Sequence, residues 1–179
     1  VLVPIAWYSF EPKEDQYDYT MIDALMEGCR RHDLKLIVLW FGAIKNGGLH
    51  FAPEWFKEDR QRFFRALKPD GSETYAISPF CRAAIEADKE AFVLLMRRIR
   101  ERNADSTVIM IQPENETGCQ QIDNDRDHSE AATLAWNSAV PAGLLEHLDG
   151  LGRRLDPWLR EVWEAHGRKM AGTWPEVFG

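Results

Sequence analysis

The sequence predicts an α/β chain of the (β/α)8 TIM-barrel type. Three observations predict it. Short, continuously apolar runs alternate with helical patterns, no glycine-rich phosphate loop is present, and aromatic or acidic residues close each apolar run. Unbroken apolar runs suit strands buried on both faces of a parallel sheet, and their alternation with helices suits βαβ units. A doubly wound sheet is the competing architecture, and it would want G-x-G-x-x-G or G-x-x-x-x-G-K after a strand. Neither motif occurs. Trp7, Trp40 and the cluster Glu114-Asn115-Glu116 stand at the strand ends instead, where a barrel assembles its active site.

Element by element, Val1 to Ala6 reads as a strand and Glu11 to Gln16 as a polar loop. Asp18 or Thr20 then caps a helix, with Asp23 as capping-box partner to Thr20. Met21, Ile22, Leu25, Met26 and Cys29 form its apolar face, and Arg30, Arg31 and His32 suit its C-terminal dipole. Leu34 to Phe41 is a second strand, and Gly42 to His50 a loop. A helix is expected from Pro53 through Phe63 and Phe64 toward Leu67, followed by a surface turn over Lys68 to Thr74. Ser78-Pro79 opens a long helix as cap and first-turn proline, with four arginines from Arg97 to Arg102 on its solvated end. Thr107 to Ile111 is the third strand. Helices then follow over Ser129 to Ala139, Pro141 to Leu148 and Asp156 to His166, before a turn-like Gly172-Thr173-Trp174-Pro175.

Composition bounds the function. The 179 residues are 45% hydrophobic and 28% charged, an ordinary globular balance. The net charge of -7 argues against a nucleic-acid partner, which needs a clustered basic footprint. No apolar run approaches the roughly 20 residues that cross a bilayer, and no signal stretch is visible. The compartment is left open among cytoplasmic, periplasmic and secreted. Cys29, Cys81 and Cys119 lack C-x-x-C spacing and read as structural. Val1 already lies inside an apolar run, so 1–179 is expected to be part of a single barrel domain.

Glu116 is the leading candidate for chemistry. A carboxyl group at the end of a buried strand is readily part-desolvated, which lifts its pKa toward general-acid work. Asn115 supplies donor and acceptor for a hydroxyl-rich substrate. Period-two alternation puts Glu114 and Glu116 on one face and Asn115 on the other, although Pro113 is a local source of distortion. A solvated, inert acidic loop accounts for the tripeptide equally well. Seven tryptophans are many for this length, and Trp7, Trp40 and Trp55 lie at or beside strand ends. Their flat faces suit sugar C–H surfaces, with core packing as the alternative. Asp123 to His128 lacks the glycine and glutamate of a calcium loop and reads as a solvated pocket rim. No H-E-x-x-H pairing occurs. No metal and no cofactor are expected.

Val3-Pro4 through Trp7, Phe10-Glu11-Pro12, Tyr17-Asp18-Tyr19, Leu39-Trp40-Phe41-Gly42, Lys45-Asn46-Gly47, Gln112-Pro113-Glu114-Asn115-Glu116-Thr117-Gly118 and Gly172-Thr173-Trp174 through Phe178-Gly179 together carry a resemblance. They resemble segments of glycoside hydrolase family 35 β-galactosidases and related clan A enzymes, whose fourth barrel strand ends in Q-V-E-N-E-Y-G. Pro113 replaces the usual Val or Ile, and Thr117 replaces the aromatic. The resemblance implies that the three strands are the second, third and fourth of the barrel. It implies Glu116 as general acid/base and Asn115 as contact to the sugar 2-hydroxyl. Trp7, Trp40, Lys45, Asn46 and Glu114 join Asn115 as substrate-binding candidates.

The reaction so implied is retaining hydrolysis of terminal β-D-galactosides or related β-glycosides, by two carboxyl groups about 5 Å apart. The resemblance puts the nucleophile on the seventh strand, so the chain alone is expected to be catalytically incomplete. Its partner is a carbohydrate substrate, not a membrane or nucleic acid. Open strand edges also favour association into a homo-oligomer. A noncatalytic sugar-binding module or inactive homologue is the second reading. A nucleotide-binding α/β domain is a poor third.

Overall fold

The computed structural model describes residues 1–117 and 126–179. These divide into two units, Val1–Ser129 and Glu130–Gly179. In the first, β1 (Leu2–Ala6) leads directly into the single turn α1 (Trp7–Phe10), and α2 (Thr20–Arg31) returns to β2 (Leu36–Phe41). A 3-10 turn at Lys45–Gly47 and α3 (Glu54–Glu58) precede β3 (Arg65–Leu67) and β4 (Glu73–Ile77). The 21-residue α4 (Arg82–Arg102) then leads to β5 (Val108–Pro113).

The strands β1, β2 and β5 form one parallel sheet in that order. Sheet order therefore follows chain order, as in a barrel, with none of the reversal that marks a doubly wound sheet. The register aligns Ile5, Trp40 and Pro113, and so brings the three C-terminal ends to one edge. Trp7, Gly42 and Glu114 are the first residues beyond that edge.

One face of the sheet is covered by helices. Ile22, Met26 and Cys29 of α2 and Ala84, Ala91, Leu95 and Ile99 of α4 share a core with Ile5, Leu36, Val38 and Trp40. The spacing of both helical sets keeps them on a single stripe. The other face carries the aligned row Leu2, Ile37 and Met110, of which Leu2 and Met110 are each 57% exposed.

Several expectations need correction. The helix expected from Pro53 to Leu67 ends at Glu58, and Arg65–Leu67 pairs antiparallel with β4. Phe63 does not continue a helical face but stacks on Phe56, with ring centroids 4.2 Å apart. Pro69-Asp70-Gly71 is thus the turn of a hairpin, closed by Lys68 N donating to Ser72 O at 2.9 Å, with Gly71 at φ +82°. Ser78 does not cap α4, which begins only at Arg82. The box between Thr20 and Asp23 is absent too. Thr20 N donates to Asp18, while Asp23 is drawn into ion pairs with Arg98 and Arg102 of α4. Two of the arginines read as a solvated end therefore fasten α4 to α2.

The second unit comprises α5 (Glu130–Trp136), α6 (Ala142–Leu151), α7 (Pro157–Ala165) and α8 (Trp174–Phe178). Asp156 caps α7 by accepting from Trp158 N and Leu159 N, with Pro157 in its first turn. The turn expected at the end of the chain is helical. Thr173 N donates to Glu176 Oε2 at 2.7 Å and starts α8. Val140, Leu145, Leu148, Leu155, Trp163 and Val177 form this unit's own core. Cys29 and Cys81 are buried thiols, and Cys119 lies outside the described residues. No described helix is long and apolar enough to cross a membrane.

Candidate active site

The edge that gathers the ends of β2 and β5 also gathers most of the polar candidates. After β5 the chain leaves the sheet abruptly, because Glu114 and Glu116 both adopt left-handed backbone, φ +56° and +51°. Period-two alternation stops there, so the two carboxyl groups do not share a face. Gln112 Nε2 donates to Asn115 Oδ1 at 2.9 Å and to Glu114 O at 3.3 Å, which orients the Asn115 amide. Glu116 reaches toward Lys45, whose Nζ stands 3.6 Å from its Oε2.

The expectation of a dry Glu116 is not met. Its side chain is 59% exposed. The dry carboxyl is its neighbour: both oxygens of Glu114 are closed off from solvent and lack a hydrogen-bond partner. Burial pushes the Glu114 carboxyl up to about 8, and the like charge of Asp88 adds to the rise. Nearby backbone amides of Gly42 and Ile44 offset a part of it. Glu114 is thus not presented to a substrate in this structure. Asp88, on α4, accepts from Trp40 Nε1 at 2.7 Å and from Ala43 N at 2.8 Å. Trp40, Ile44, Ile85, Phe92, Asp88 and Glu114 line a cleft of about 260 Å³.

Trp7 and Trp40 offer no flat face to a sugar. They are 0% and 2% exposed, and each spends its indole N–H on a carboxylate. For Trp7 the acceptor is Glu11 Oε2 at 2.7 Å. Glu11 is itself buried, and burial raises its pKa. Core packing therefore explains these tryptophans, while Trp55 is only partly buried and donates to Glu11 O. Lys45 is 8% exposed, with its ammonium 4.8 Å from the centre of the Phe41 ring. The side chain of Asn46 lies outside the described residues.

The expected rim from Asp123 to His128 is described only from Arg126 onward. Asp127 is no solvated rim residue. It is 5% exposed and accepts from Leu67 N, Ser129 N, Ser78 Oγ and Ser129 Oγ. Those four donors outweigh its burial and hold its pKa below the usual range. Among the described residues, no cluster of three or more His, Cys, Asp or Glu could hold a metal ion.

Asp88 is the residue that the sequence reading missed. It sits four residues after Ala84 and three before Ala91, on the buried stripe of α4. A lone acid on an apolar helical stripe is a legible signal, since such a group needs partners when buried.

The model of the family Glyco_hydro_42, described as beta-galactosidase, matches residues 2–168. Among solved structures, the chain resembles a polyextremophilic beta-galactosidase from the Antarctic haloarchaeon Halorubrum lacusprofundi, with a TM-score of 0.54 and 21% identity. The match covers 99% of this chain and 25% of that one, so the chain spans about a quarter of that structure's length. No curated protein matches. The family is thus 42, and the number 35 suggested by the motifs is corrected. The partial parallel sheet is that of a TIM-barrel fragment.

Proposed function

The chain belongs to the glycoside hydrolase family 42 β-galactosidases, and from that premise we propose that it supplies the acid/base half of a retaining β-galactosidase site. Glu116 is the proton donor to the departing glycosidic oxygen. Asn115 binds the sugar hydroxyl beside the anomeric carbon, and Lys45 sets the position of Glu116. The substrate is a terminal β-D-galactoside or a related β-glycoside, and the second carboxyl group, the nucleophile, belongs to a strand outside this chain.

One observation carries the reading. Glu116 lies just beyond the C-terminal end of β5, at the edge where the parallel strands of this sheet finish together. Barrels of this type build their catalytic sites at that edge from the ends of several strands. The uncovered row Leu2, Ile37 and Met110 fits the same reading, being the face that further strands would enclose. Residues 1–179 are then a segment of one barrel domain. Glu116 becomes dry only when the remaining strands and a sugar close over it.

The 59% exposure of Glu116 favours a second reading, in which the chain recognises sugar without catalysis. An aryl β-galactoside assay separates the two. The hydrolase reading expects no turnover by the 179-residue chain, turnover by the whole barrel, and its loss on Glu116→Gln. A whole barrel that binds galactose yet never turns over would overturn that reading.

A further inference from the structure

The turn that follows β2 rests on two acids. A β-carbon placed on Gly42 would overlap Glu114 Oε1 and fall 2.5 Å from both Asp88 oxygens. Oxygens of both carboxyl groups therefore crowd one point, in the space that the missing side chain of Gly42 leaves open. Asp88 holds the next residue by accepting from Ala43 N, and holds the end of β2 by accepting from Trp40 Nε1. Both Asp88 oxygens are engaged in this way, whereas both Glu114 oxygens are buried without a partner. Two ionised carboxylates have no proton to donate to each other, and buried acceptors left in that state are costly. A single proton on Glu114 resolves the arrangement, because it turns an orphaned acceptor into a donor to Asp88.

We propose that Asp88 and Glu114 share one proton and act as positioning residues, seating the Gly42–Lys45 turn that carries Lys45 to Glu116. The proton is taken from solvent. When it leaves, two negative charges face each other across Gly42, and the turn shifts away from them. The raised pKa of Glu114 agrees with this geometry. Among the described residues, the charged groups around the pair are few. Lys89 of α4 lines the same cleft but is paired with Glu86, Lys45 is turned to Glu116, and β4 and the residue after it contribute only Ile77 and Ser78. The consequence for catalysis rests on Glu116 being the acid/base, whereas the shared proton itself does not.

Carboxyl carbon-13 and amide NMR of the 179-residue chain across pH 4 to 10 tests the proposal without any activity. The Glu114 carboxyl is expected to titrate near 8, with the Ala43 amide and the Lys45 side chain following the same midpoint. Glu114→Gln, which keeps a permanent donor toward Asp88, should hold both reporter signals at their low-pH positions throughout. Asp88→Asn should lower the Glu114 midpoint while burial keeps it above the ordinary glutamate value, and it serves if the glutamine variant fails to fold. Ordinary titration of Glu114 in the wild type, or reporters that ignore its midpoint, would overturn the proposal. The galactosidase reading stands or falls separately, on the Glu116→Gln assay.

Discussion

Nζ of Lys45 stands 3.6 Å from Oε2 of Glu116, so the turn after β2 meets the turn after β5. The two ends of this contact are unlike. Lys45 is buried with its ammonium near Phe41, and Glu116 is open to solvent. A buried cation thus marks where an exposed carboxylate rests.

The contact is expected to orient rather than to stabilise. Pairs with one open partner contribute about 0–1 kcal/mol. Lys45→Met keeps the apolar stem, so its unfolding free energy in urea should change by less than about 1 kcal/mol.

Gly42→Ala is expected to destabilise by about 1–3 kcal/mol, as overpacking does, since the new methyl group meets three carboxyl oxygens. Gly150→Ala, in α6 with nothing within 4 Å, should instead gain roughly 0.5–1 kcal/mol. Chemical denaturation of the two variants measures the contrast.

Stability should depend on pH in two opposed ways. Glu114 has a raised pKa, so the folded chain holds a proton that the unfolded chain releases between about 4.5 and about 8. Its contribution is therefore full below that window and is lost as pH rises through it. Asp127 has a lowered pKa, so its contribution is present above the ordinary aspartate range and is lost as pH falls below about 4. In thermal melts against pH, Glu114→Gln should flatten the decline between about pH 4.5 and about 8, and Asp127→Asn the one below about pH 4. Asp127→Asn should also lower stability at neutral pH by about 1–3 kcal/mol, because it disturbs the acceptor of four donors, three of them buried.

Trp40→Ala should cost about 3–5 kcal/mol of folding stability, as for a buried aromatic, and it should unfold the sheet before it reveals any effect on sugar binding. Guanidinium titration of this variant at neutral pH supplies the value.

The three parallel strands and the helices α2, α6 and α7 were legible because period and capping agree there, as Asp156-Pro157 illustrates. The hairpin was not, since Phe63 and Phe64 mimic a helical face while their packing partner, Phe56, is seven residues back from Phe63. In the site, the place of the tripeptide at the end of β5 was legible, and which of its two carboxyl groups is buried was not. Alternation assumed a continuing strand, and left-handed backbone at Glu114 and Glu116 sent one carboxyl group inward and the other outward. The tryptophans offered as sugar platforms lie in the core, where Glu11, four residues after Trp7, takes one N–H and the sequence-distant Asp88 takes the other. Only a fold brings residues 40 and 88 together.

The measurement that bears most directly on the role of Glu116 is the leaving-group dependence of Glu116→Ala in the whole enzyme. A proton donor matters for a poor leaving group and little for a good one. Phenyl β-galactoside hydrolysis should fall by roughly 10²- to 10⁴-fold in kcat/KM, and 2,4-dinitrophenyl β-galactoside hydrolysis far less. Equal losses on both substrates, or no loss on either, would contradict the assignment of Glu116 as the acid.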